Sequence, residues 1–91
     1  MKIVCMPLFT QQLKTVLASM VRTNPQGAKS FKLYLDTILL NIPSKAQKYK
    51  PSIYFDNENV RDIEHQGYTI PFYYDKDQKK YVILGIIDNR E

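Results

Sequence analysis

Any chemistry in this sequence would have to come from a short set of side chains. His65 is the only side chain whose unperturbed pKa lies near neutrality. Its place in the turn signal His65-Gln66-Gly67 predicts an exposed, structural histidine. Cys5 is the only thiol; it falls in a short apolar segment and reads as an inert, buried small hydrophobe. Without a second cysteine it forms no intramolecular disulfide, which fits the reducing cytoplasm. Cys5 and His65 are also the only soft ligands, so no metal site and no cofactor is expected. Lys45, Lys48 and Lys50, in a stretch bounded by Pro43 and Pro51, are the best electrostatic candidates for phosphate; a solvated loop has the same composition. Tyr73, opposite an Ile70–Phe72–Tyr74 face, could stack on a base if it meets solvent, although packed aromatics are commoner.

These side chains need a scaffold, and the chain has enough apolar residues to build one. Ninety-one residues, 44% of them hydrophobic, suit one domain over 1–91 with one core. No run approaches the roughly 20 apolar residues of a membrane span, and the first residues show no secretion signal. The net charge of +4 conceals a division. Residues 1–54 hold eight basic residues and one acid, Asp36, for +7; residues 55–91 hold five basic residues and eight acids, for −3. A basic face of this kind meets phosphate or an acidic protein, or simply solvates a helix surface.

Lys2-Ile3-Val4-Cys5-Met6 suits a strand, ended by Pro7, which fits the first turn of a helix. Leu13, Val16, Leu17, Met20 and Val21 then recur at helical spacing. Asn24 and Pro25 read as N-cap and first residue of a second helix, with a stripe of Ala28, Phe31, Leu35, Ile38, Leu39 and Ile42 stopped by Pro43. The break between the helices is too short for a strand, so they form a hairpin. Residues 43–56 read as a loop. Asn59–Glu64 alternates, with Val60 and Asp62 on one side and Arg61 and Ile63 on the other. Tyr68, Ile70, Phe72 and Tyr74 mark one face of the next strand, where Pro71 implies a bulge or an unpaired ladder position. Tyr81–Ile87 is apolar on both faces and belongs centrally in the sheet. The order β-α-α-β-β-β predicts a two-layer α+β domain, a helical hairpin on a four-stranded sheet.

This order, the hairpin ending near a proline, the segment Val60–Ile70, and the strand–turn–strand from Phe72 to Ile87 followed by Asp88-Asn89-Arg90 resemble the RelE/ParE superfamily, the toxins of type II toxin–antitoxin systems. The resemblance covers nearly the whole chain and implies a mostly antiparallel sheet and a cognate antitoxin partner. It also implies one of two targets. RelE-like members cut mRNA on the ribosome, and ParE-like members inhibit DNA gyrase.

The resemblance makes Arg61 and Arg90 the catalytic candidates, since they match the family's basic residue after the hairpin and the Arg after the last strand. Both can hold phosphate bidentately. Three positions depart from the family. Thr69 stands where Gly-Tyr-Arg would place Arg, Asp88 precedes Arg90 where many relatives carry His or a small residue, and Glu91 ends the sequence with no Tyr or His. Asp62 and Glu64 would add repulsive charge near the expected cleft, where the two arginines share one hollow. Four readings follow: a metal-independent endoribonuclease, a non-nucleolytic gyrase inhibitor, a degenerate member that mainly binds its antitoxin, and, outside the family, a small basic nucleic-acid-binding domain.

Overall fold

The computed structural model of the protein describes residues 2–90; the notable ending at Glu91 lies outside the described residues. Strand β1 (Lys2–Cys5) leads into helix α1 (Pro7–Thr23). Proline takes the first turn of α1, where a missing N–H costs nothing. Asn24 alone joins α1 to α2 (Pro25–Leu40), and its side-chain oxygen accepts from the Gly27 amide at 2.9 Å, as an N-cap should. The helices pack on each other as the expected hairpin.

The inner stripe differs in detail from the periodicity. Phe9 and Leu13 are the buried residues of α1, while Val21 is exposed. In α2, Ala28, Phe31, Leu35 and Leu39 are buried, and Ile38 packs against the core from a half-buried position. The helix ends at Leu40 rather than at Pro43. Pro43 sits in the first turn of a short α3 (Ile42–Lys45), followed by a 3-10 turn (Ala46–Lys48) and a two-residue strand β2 (Lys50–Pro51). The expected loop 43–56 therefore carries structure over its first half. Proline is tolerated at the start of a helix, so it restarted one here instead of only stopping one.

Strands β3 (Val60–His65), β4 (Tyr68–Asp75) and β5 (Lys80–Ile83) form an antiparallel core, and β6 (Ile87–Asp88) completes the set. The sheet order is β1-β5-β4-β3-β2, with β6 pairing β4; β1 runs parallel to β5 and the other pairs are antiparallel. The result is an α+β fold with a mostly antiparallel sheet of six strands among the described residues, two of them only two residues long.

The apolar run Tyr81–Ile87, expected as one strand, is broken. β4 pairs with β5 over Phe72–Asp75 and with β6 over Tyr68 and Thr69. Pro71 lies at the junction and has no N–H for a ladder bond, so continuous pairing is interrupted there. The Leu84 amide reaches the Pro71 carbonyl at 2.9 Å, and the Ile86 amide, left without a strand partner, donates to Gln12 Oε1 at 3.0 Å.

Tyr68, Ile70 and Phe72 face the helices together with Ile63, Tyr81 and Ile83. Phe31, Leu35, Ile42, Ile63, Ile70, Phe72 and Ile83 are fully buried, each contributing roughly 1.5–3 kcal/mol relative to exposure. No described helix is long and apolar enough to cross a membrane.

Candidate functional site

The β3–β4–β5 face extends beyond the helical hairpin. There it forms a cleft of about 590 Å³ that no residue of α1 or α2 lines. Arg61, Lys76, Phe72, Tyr74 and Tyr81 line it, together with Gln47 and the carboxylate of Glu58. A second hollow of about 340 Å³, bearing Lys45 and Lys48, shares Ala46, Gln47 and Tyr81 with the first, so the two are contiguous. The α3–3-10 segment thus brings Lys45 and Lys48 to the same region as Arg61. Lys50 goes elsewhere: it pairs across the strands with Asp62, whose side chain is on the opposite face from Arg61.

Arg61 is tethered there. Its Nη1 donates to the Tyr49 carbonyl, and the Tyr49 ring meets Phe72 edge-on at 5.8 Å. The guanidinium therefore braces the segment before β2 against the sheet. Tyr74 and Tyr81 stack at 4.9 Å between centroids. Burial, reinforced by Tyr74, pushes the Tyr81 hydroxyl up from its ordinary pKa, so it is a poorer proton donor than a free tyrosine. The cleft can attract an anion through its cations, and no histidine or cysteine lines it.

Arg90 lies at the other end of β4. Its guanidinium sits 4.4 Å above the Tyr68 ring, Nε donates to Asp88 Oδ1 at 3.1 Å, and Nη2 donates to the Tyr68 hydroxyl. Hydrogen bonding to Arg90 holds the Asp88 carboxyl below its usual range, and the same bond raises Arg90. Arg90 lines a hollow of about 190 Å³ with Met20, Asn24 and Gln66, and no residue lines both this hollow and Arg61's. The strand position paired with Arg61 is Phe72, four residues from Tyr68, which is ~13 Å along β4 at 3.3 Å per residue. The two arginines do not share a hollow.

The remaining candidates are dispersed. Tyr73 is on the face opposite Phe72, half-buried between Val60 and Val82, away from the lysine-bearing cleft. His65 is buried, not exposed. Its ring packs 4.8 Å from Phe31 and its Nε2 is 3.4 Å from the Phe31 carbonyl. The turn consists of Gln66 and Gly67 alone, both at positive φ, so His65 remains a strand residue on the Ile63 face. Cys5 is exposed because β1 is the sheet's edge; partial burial, then the charge of Asp36, raises its thiol pKa.

Asp62 and Glu64 do not repel ligands from the cleft, being on the outer face. There Thr69 donates to Glu64, and Asn89 donates to both Thr69 and Glu64. No group of three or more His, Cys, Asp or Glu among the described residues could hold a metal. Sequence reasoning passed over Ile53-Tyr54-Phe55, three consecutive exposed apolar residues on that outer side. Their signal was an apolar triplet inside a stretch otherwise rich in Asn, Asp, Ser and Pro.

A family model described as "ParE toxin of type II toxin-antitoxin system, parDE" matches residues 3–91. Among solved structures, one from the "Chromosomal ParDE TA system from P. aeruginosa" superposes with a TM-score of 0.78 at 17% identity, covering 97% of this chain and 95% of that chain. No curated protein matches.

Proposed function

Because the chain belongs to the ParE toxin family of type II toxin–antitoxin systems, we propose that it arrests growth by binding and inhibiting DNA gyrase, without cutting nucleic acid, until its cognate antitoxin neutralises it. The observation that supports this most is the separation of Arg61 from Arg90, each held by partners within the fold. Metal-free RNA cleavage needs cations and a proton-transfer pair converging on one phosphate, and His65 is buried against Phe31 and lines neither arginine's hollow. Induced expression is expected to leave transcripts intact, and the purified toxin to block supercoiling by gyrase. Translation-dependent mRNA cuts that vanish in Arg61→Ala would reverse the conclusion. That second reading draws on one feature, the cluster of Arg61, Lys76, Lys45 and Lys48 around contiguous hollows.

A further inference from the structure

Between β2 and β3 the chain forms a strap, residues 52–59, whose first part is tied to the outer face of the sheet and whose end, Glu58 and Asn59, lines the Arg61 cleft. Three observations set it apart from an ordinary loop. It turns apolar side chains to water: Ile53 is 83% exposed, Tyr54 46% and Phe55 43%. Contiguous exposed apolar residues of this kind mark interaction sites more often than isolated ones do.

The strap is also held in place. The Ser52 amide donates to the Val60 carbonyl at 2.9 Å, and the Ile53 amide to Asp62 Oδ2 at 3.1 Å. The Tyr54 amide donates to Ser52 Oγ at 3.1 Å, and the Tyr54 hydroxyl to Asn89 Oδ1 at 3.0 Å. Asp62 is 9% exposed and its Oδ1 has no partner. A buried polar atom without a partner is costly, and here the same side chain fixes the backbone of an isoleucine that the fold leaves in solvent. Local rules broken together in this way point to function rather than to stability.

Finally, carboxylates flank the apolar triplet, with one cation, Lys50, on the same outer face beside Asp62. From Pro51 to Val60 there are two carboxylates and no cation; Asp56 adjoins Phe55, while Glu58 lines the Arg61 cleft. Glu64, also exposed, joins the strap through Asn89.

We infer that Ile53 and Phe55 anchor this toxin to its protein target, entering an apolar pocket rimmed by lysine or arginine on that target. The inference rests on the gyrase reading and specifies the surface that performs it. An apolar centre with carboxylates at its rim, Asp56 and Glu64, fits a protein-binding patch, with burial supplying affinity and the rim supplying steering. Nucleic acid would be repelled by Asp56 and Glu64.

The test compares wild-type toxin with Ile53→Ser/Phe55→Ser and, separately, Asp56→Lys, in gyrase supercoiling, antitoxin capture and thermal melting. All three sites are exposed, so the variants should fold. The double variant is expected to need at least about tenfold more toxin for half-inhibition. Asp56→Lys should require several-fold more, with melting and antitoxin capture unchanged in both. Inhibition at wild-type concentrations by both variants would overturn the inference, as would lost antitoxin capture with inhibition intact, which would make the strap an antitoxin surface. If wild-type toxin leaves supercoiling untouched, the gyrase reading fails instead. Growth arrest on induction then decides the strap, and a double variant that still arrests cells would end it.

Discussion

Gly67 and Arg90 show how little freedom one residue has at the end of β4. Gly67 holds φ +87°, and a Cβ there would lie 2.6 Å from Arg90 Cδ and 2.9 Å from Arg90 Cγ. Only glycine satisfies both the turn and the arginine that lies over Tyr68. Gly67→Ala is expected to cost about 1–2 kcal/mol through the left-handed backbone, and to displace Arg90 from the Tyr68 ring. Urea unfolding gives the first quantity and the Tyr68 ring proton shifts report the second; wild-type values of both would refute the account. The same residues show what could be read along the chain. Gly67 was legible as a turn because glycine punctuates locally. The burial of His65 was not, because it depends on the turn being two residues long and on Phe31 lying opposite.

Among the elements, the α1–α2 junction is the one whose stability hangs on a single side chain. Asn24 ends α1, with its amide bonded to the Met20 carbonyl at 2.7 Å, and caps α2 through Gly27. Asn24→Ala should destabilise the protein by about 1 kcal/mol and increase amide exchange in the first turn of α2 more than in β4. Uniform exchange across the fold would contradict this placement of the cap. Helix starts of this type were legible in sequence because Asn-Pro acts on its immediate neighbours. The split of the apolar run 81–87 into β5 and β6 was not, since it is imposed by Pro71 on a different strand. The ladder position that loses its donor belongs to a neighbour ten or more residues away, and no periodicity within 81–87 reports it.

Along the chain of the whole molecule the charges are divided: cations predominate up to residue 54 and acids from residue 55 onward, with Asp56 beside the strap's apolar residues. Acids placed beside an apolar anchor steer it toward a basic partner. Association with a basic-rimmed target is therefore expected to slow several-fold between about 50 and 200 mM salt, with dissociation little changed, because screening acts on the encounter. Surface plasmon resonance with immobilised gyrase separates the two rates, and an effect confined to dissociation would exclude steering. The amino-acid order alone determined the α+β architecture, the helical hairpin, the alternation of faces in β3 and β4, and the charge division, all of which follow from spacing and composition along the chain. Tertiary structure decided that Arg61 and Arg90 occupy different hollows, that Lys50 parts from Lys45 and Lys48, and that Asp62 holds an apolar strap to the outer face. Those outcomes depend on the register between strands distant in sequence, where a shift of one residue sends a side chain to the other side of the sheet.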